Sequence, residues 1–438
     1  MQSPFPLNIR LFIWFRIFFN CRFYYPVFAI LFLDYGMTLE QFALLNVAWA
    51  AAIVLLEVPS GALADCIGRR KMVIASAILM VVELCLLAFV PLGNGVFVFW
   101  VLILNRVLSG AAEATASGAD EALAYDSLKV IGREKEWPDV LAVLMKRQSL
   151  AFVFAMLCGA VVYDASLLNR FTDLVNLNWS FTKQECLRFP VYLTLFMACG
   201  ACVVSFQMRE PPGSYPRSEF KFLAAWRSMR EAGLWIIQRP TIWFFLIFLV
   251  VCDSIVRLHL TLGSQYLRLI QIPEGWFGLF SAAFAVLGLF APKVAMALVE
   301  KRSWPWNLSA LALYLFLSLL GLSLGIPYFG LIFSLTTSAG MFFLGYFSSH
   351  YLNAAIDSGH RATILSFKGL AMNLGYGLIG LSYAAYVGHL GEIDKNAAYA
   401  ESIRLWPWYF AGMLGLLLLC AWPWRRALWL RSPSPSSL

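Results

Sequence analysis

The chain has 438 residues, of which 61% are hydrophobic and 13% charged. Water-soluble globules carry about 25% charged residues, so this composition excludes one and requires a bilayer. The formal net charge of +8 does not point to nucleic acid, because the basic residues collect on alternate connections between apolar runs.

A bilayer is crossed by roughly 20 apolar residues in helical form. Twelve such runs are expected, at 17–34, 41–62, 72–91, 96–118, 146–166, 189–208, 241–262, 275–298, 305–324, 327–350, 363–388 and 405–424. Arg10, Arg16 and Arg22 interrupt the first apolar stretch and no small-residue cleavage site follows it, so no cleavable signal is read there. One set of connections carries Arg69, Arg70 and Lys71, then Lys129 to Arg147, Arg209 to Arg239, Lys301 and Arg302, and Arg425 to Arg431. The opposite set holds only scattered cations such as Arg170, Lys183 and Arg268. The positive-inside bias then places both termini in the cytoplasm.

Polar groups at bilayer depth need a partner or a water-filled cavity, so function is expected where they concentrate. The first run carries Asn20, Arg22, Tyr24 and Tyr25 beside Pro26, while Arg16 is close enough to the helix end to reach the headgroups. Glu57 precedes the segment GALADCIGRRK, Gly61 to Lys71, where Asp65 ends one run and a basic cluster opens the next. Glu83 lies in the third run. In the fourth, Arg106 and Glu113 are seven residues apart, as are Glu113 and Asp120, which predicts a ladder of charge on one helix face.

The sixth run ends at REPPGSYP, and the prolines there stop the helix. After it, FKFLAAWRSMREAGLWIIQ has helical spacing with interleaved charge and reads as a surface helix. The organisation expected is therefore a first bundle at 1–208, a cytoplasmic linker at 209–240, a second bundle at 241–430 and a disordered tail at 431–438. In the second half, Asp253 and Arg257 are four residues apart and able to neutralise each other. Asn373 and Tyr376 are the polar residues of the eleventh run.

The motifs that are missing narrow the chemistry. No GxxxxGK[ST] cradle for ATP phosphates occurs, no HExxH or paired-cysteine metal site, and no Gly-x-Ser-x-Gly nucleophile turn. Eight of the nine cysteines fall in or beside the runs and Cys186 alone falls outside them, so no disulfide is expected. Neither a metal nor any other cofactor is expected.

GALADCIGRRK resembles the signature of the major facilitator superfamily between its second and third helices, G-x-L-A-D-x-x-G-R-[RK]. Gly61, Leu63, Ala64, Asp65, Gly68, Arg69 and Arg70 fall in register, and Cys66 replaces a residue that is often basic. NRVLSG, Asn105 to Gly110, is similar to the family's fourth-helix signature, whose arginine is associated with proton coupling and substrate sensing. Two departures stand out: LCGAVVYD lacks the Gly-Pro pattern of antiporters, and VEKRSWPW keeps only Lys301 and Arg302 of the mirror signature.

The resemblance implies an all-α polytopic membrane protein of twelve transmembrane helices, in two pseudo-symmetric six-helix bundles. It implies a secondary transporter of the bacterial inner membrane, a monomer among lipids, that rocks between outward-open and inward-open states and is not an enzyme. Gly61, Asp65, Gly68, Arg69, Arg70, Asp120 and Asp126 would form a conformational latch, with Asp65 near Ala362 and Thr363 and Arg69 paired with Asp120 or Asp126. Proton coupling is assigned to Arg106 and to Glu83, Glu113 and Asp253, the last three being carboxylates placed where desolvation favours protonation. Substrate binding is assigned to Asn20, Arg22, Tyr24, Tyr25, Arg106, Arg257, Asn373 and Tyr376. The expected activity is efflux of a drug or metabolite driven by the proton gradient. The alternative is import of an anionic metabolite or a metal chelate such as a siderophore, since guanidinium grips planar oxyanions; a membrane-embedded transferase is the remote one.

Overall fold

A computed structural model describes residues 5–93, 95–177, 179–212, 222–355, 361–390 and 395–424. The described residues are helical with no strand, as lipid demands of a backbone that must satisfy its own hydrogen bonds. In chain order the helices are α1 (Phe5–Asn20), α2 (Phe28–Asp34), α3 (Leu39–Ile67), α4 (Arg69–Phe89), α5 (Val96–Ala116), α6 (Ala119–Val130), α7 (Trp137–Tyr163), α8 (Ala165–Leu174) and α9 (Lys183–Cys186). They continue as α10 (Phe189–Gln207), α11 (Phe222–Ile237), α12 (Pro240–Leu269), α13 (Phe277–Lys301), α14 (Trp304–Ser323), α15 (Gly330–Ala355), α16 (Arg361–His389) and α17 (Lys395–Ala421).

Among the described residues twelve segments are long and apolar enough to cross a membrane, and each overlaps one of the twelve expected runs. The ends differ. The first segment begins at Pro6 and the twelfth at Lys395, because polar residues continue these helices beyond their apolar stretches. The helix expected after the prolines is α11; the tail 431–438 lies outside the described residues.

The chain forms two compact units, one of residues 1–226 with 274–282 and one of residues 227–273 with 283–438. In the first unit the opening span is not one helix. It unwinds over Cys21–Tyr24 between α1 and a short 3-10 turn at Tyr25–Val27 that carries Pro26, whose ring cannot continue the α1 hydrogen-bond ladder. Two neighbours hold the unwound backbone: the Phe23 N–H donates to Thr194 Oγ1 at 2.9 Å, and the Phe23 carbonyl packs against Gly159 of α7. A Cβ at position 159 would stand 1.7 Å from that carbonyl oxygen, so only glycine fits.

The fourth span is also divided. Gly118, in the left-handed conformation at φ +74, separates α5 from α6. The charge ladder expected along one helix is therefore corrected: Arg106 and Glu113 lie on α5, and Asp120 lies on α6 beyond the turn.

In the second unit, α12 is the most enclosed span. Its buried residues include Asp253, Ser254, His259 and Gln265. α11 lies against α16, where Gly233 meets the ring of Phe367.

Candidate functional site

The turn between α3 and α4 is built around Gly68, at φ +102, with Arg69 opening α4. The first N–H groups of a helix lack intrahelical partners and carry the positive end of its dipole. Glu210, just past the sixth span, supplies the carboxylate: its oxygens accept the backbone N–H of Arg69 at 3.1 Å and of Arg70 at 2.7 Å. Arg70 returns the contact, donating to the Met208 carbonyl at 2.6 Å and the Phe206 carbonyl at 3.0 Å at the end of α10.

Arg69 pairs with Asp126 on α6 and donates to the Ala122 carbonyl at 3.2 Å. Of its two expected partners Asp126 is the one in place. Asp120, buried, instead pairs with Arg16 at 3.3 Å, and Glu121 pairs with Arg16 at 2.9 Å. This corrects the expectation that Arg16 reaches the headgroups. Gly61 is solvent- or lipid-facing with open space around it, and the side chains of Asp65, Ala362 and Thr363 lie outside the described residues. Glu57 makes no ion pair among the described residues.

The unwound stretch of the first span places Arg22, 1% exposed, at the centre of a charge cluster. Its Nη1 donates to Glu83 Oε1 at 2.9 Å and to the Tyr24 hydroxyl at 3.1 Å, and its Nη2 to Glu113 Oε1 at 3.2 Å. The rings of Phe19 and Tyr25 flank the guanidinium. Asn105 completes the site: its amide donates to the Glu83 carbonyl at 2.7 Å and to Glu83 Oε2 at 2.6 Å. Deleting one partner of a buried pair of this kind costs about 3–5 kcal/mol.

Arg106 stands differently. It is buried, donates to Asn46 Oδ1 at 3.2 Å, and lies over the rings of Phe28 and Trp49 at 5.2 and 5.5 Å. Its Nε is buried without a hydrogen-bond partner, and no carboxylate pairs with it among the described residues. Asn20, expected at the substrate site, donates instead to the Arg16 carbonyl one turn back in its own helix.

In the second unit, Arg257 pairs with Asp253 at 2.8 Å, donates to Asn373 Oδ1 at 2.8 Å and lies over the Tyr376 ring at 5.4 Å. Tyr376 is hydrogen-bonded to Thr261 at 2.8 Å. Arg257 of α12 is thus brought to Asn373 and Tyr376 of α16, more than a hundred residues on. Asp253 is already engaged by the arginine.

A further charged group in the first unit lies at the end of the bundle away from the Arg69 turn. The Tyr163 hydroxyl donates to Asp34 at 2.7 Å, while Lys183 stands 3.7 Å from Asp34, pairs with Glu274 and lies over the Tyr163 ring. Next to it, Asp164 accepts the N–H groups of Ser166 at 2.9 Å and Gly275 at 3.1 Å. Partial burial pushes the Asp164 carboxyl up, but the hydrogen bonds from Ser166, Gly275 and Leu167 outweigh it and hold the group below the ordinary aspartate range.

Sequence reasoning missed Glu210, Asn46 and this Asp34, Lys183 and Glu274 group. Glu210 was visible as a lone acid beside prolines, but nothing along the chain joins it to Arg70. Asn105 stands in the NRVLSG segment, where the sequence alone gives it no partner.

A comparison with curated proteins finds no match. Three solved structures share the fold: a bacterial homologue of the human lysosomal transporter Spinster, inward-facing and unoccupied (16% identity, 99% of this chain and 100% of that one, TM-score 0.69); a bacterial homologue of the iron transporter ferroportin, inward-facing (14%, 96% and 100%, TM-score 0.69); and the nucleoside transporter NupG (10%, 95% and 99%, TM-score 0.68). The family model of the Major Facilitator Superfamily matches residues 11–359. With twelve spans, the fold of these transporters and that match, the chain belongs to the major facilitator superfamily and is a transporter, not an enzyme.

Proposed function

We propose that the protein is a proton-coupled carrier of a small organic anion, working by alternating access in a bacterial inner membrane. The observation that carries this reading is the contrast among three arginines. Arg22 is neutralised by Glu83 and Glu113, and Arg257 by Asp253, whereas among the described residues Arg106 has a neutral amide and two aromatic faces. A buried cation without a carboxylate is costly, and an anionic solute that reaches its unpartnered Nε offsets that cost. Guanidinium recognises carboxylate and phosphate by its planar fork.

This favours an anion over an uncharged amphipathic drug. A negatively charged metal chelate belongs to the same class, and the metal would then travel in its chelate, since no His, Cys, Asp and Glu grouping able to hold an ion occurs among the described residues. The proton is the driving ion in this reading because the spans bury the carboxylates Glu83 and Asp253, groups able to bind and release one.

The test is flux into proteoliposomes under an imposed pH gradient, across a panel of organic anions and neutral amphipaths. Anion accumulation that an uncoupler collapses and sodium removal leaves intact is expected, and the sign of the effective gradient reads import against export. Arg106→Ala should abolish accumulation and Arg106→Lys restore only part of it. Flux confined to neutral amphipaths, or wild-type accumulation in Arg106→Ala, overturns the reading.

A further inference from the structure

We infer that the second unit holds a binding site for a neutral, ring-sized lipophile with a carbonyl oxygen, reached from the bilayer at α16 and α17 and recognised by the indole N–H of Trp406. The site is independent of the anion-carrier reading above.

Three helices enclose it. Ile255 and Leu258 of α12, Ile379 and Tyr383 of α16, and Ser402 and Trp406 of α17 line a cavity of about 220 Å³. Spacings of three and four residues put each pair on one helix face. A dry cavity of roughly 150 Å³ between aliphatic and aromatic side chains already holds benzene, so this one admits a substituted ring. No charged side chain lines it among the described residues, and an ion brought there would lose its hydration without compensation. The ligand is therefore neutral, unlike the solute read at Arg106.

The mouth of the cavity faces lipid. Ser382, Leu405 and Tyr409 belong to the lining and are exposed, as are Leu381 and Trp408 beside them in sequence. Large apolar side chains exposed along a membrane span meet acyl chains rather than water.

The hydrogen bonds of the lining select the polar group. Ser402 donates to the Tyr399 carbonyl at 2.7 Å, so in its 3.2 Å contact with Tyr383 the tyrosine is the donor. Ser382 donates to the Leu378 carbonyl at 3.0 Å. These three hydroxyl protons are spent. Trp406 is 4% exposed, and its Nε1 is buried without a partner among the described residues. The rings of His259, Tyr383 and Tyr399 stand edge-on to the indole within 6.3 Å and hold it in place. An indole N–H can only donate, and a buried donor left unmatched keeps its full desolvation cost. An acceptor oxygen on the ligand removes that cost, which selects an aryl ketone or a quinone ring over a hydrocarbon of the same shape.

Saturation-transfer NMR on the full chain in nanodiscs tests this with two probes of one shape, acetophenone and isopropylbenzene, with empty nanodiscs giving the lipid background. Both should bind saturably, acetophenone about two- to tenfold more tightly, the gain from one hydrogen bond. Trp406→Phe should erase that preference and keep isopropylbenzene binding. Ser382→Trp, at the exposed mouth where added bulk leaves the fold intact, should abolish saturable binding of both probes, and it decides the matter even if Trp406→Phe does not fold. No saturable binding above empty nanodiscs, or equal binding of the two probes by the wild type, overturns the proposal. So does a preference that survives in Trp406→Phe, or unchanged binding in Ser382→Trp.

Discussion

Glu210 closes the amino end of the helix that Arg70 helps to open: the Arg70 N–H reaches its carboxylate at 2.7 Å, and the Arg70 side chain reaches back to the carbonyls of Phe206 and Met208. Two orphan donors of α4 and two orphan acceptors of α10 are thereby satisfied across 140 residues of sequence. The basic turn is anchored inside its own unit.

Removing that cap should be felt as stability. Glu210→Ala is expected to cost about 1–2 kcal/mol, in the range of other lost helix caps, and to lower the melting temperature in detergent. Glu210→Gln, which keeps an acceptor oxygen but no charge, should fall between. Equal melting of all three proteins would show that the cap contributes nothing.

The seat of the unwound first span gives a sharper contrast. Gly159→Ala forces a methyl into the Phe23 carbonyl and should either prevent insertion or destabilise the first unit severely. Gly412→Ala, on the exposed face of α17 with nothing within 4 Å, should be neutral or stabilising by up to about 1 kcal/mol. Yield and thermal stability of the two variants, side by side, check this. A well-folded Gly159→Ala would mean that the break in the first span is not fixed by α7.

Asp164 gives an expectation in pH. Its folded-state carboxyl is held below its unfolded value, so its contribution is fully present above the ordinary aspartate pKa of about 3.9 and is lost as pH falls through the lower folded value. The stability difference between wild type and Asp164→Asn should thus be constant from neutral pH to about pH 5 and shrink below about pH 4. Unfolding measured across that range would contradict the assignment if the difference grew on acidification.

Much of the architecture could be read along the chain. Twelve spans follow from apolar length alone, because a bilayer core admits no unsatisfied backbone and so makes each span a helix. The pair Asp253 and Arg257 could also be read, since four residues on a helix fix their distance. The break at Pro26 was marked by the proline.

The partners of the other charges were decided only by tertiary packing. Seven-residue spacing put Arg106, Glu113 and Asp120 on one face, but the left-handed turn at Gly118 carries Asp120 onto another helix and against Arg16, leaving Asp126 to Arg69. Arg22 and Arg106 are alike in sequence, each a cation in an apolar run. Among the described residues one is neutralised and the other is not, because α4 and α5 bring Glu83 and Glu113 to the first while α3 brings the neutral Asn46 to the second. Hydropathy fixes which residues enter the membrane, for that depends on each segment's own transfer free energy. Which charge meets which depends on the packing of helices remote in sequence, and no local periodicity encodes it.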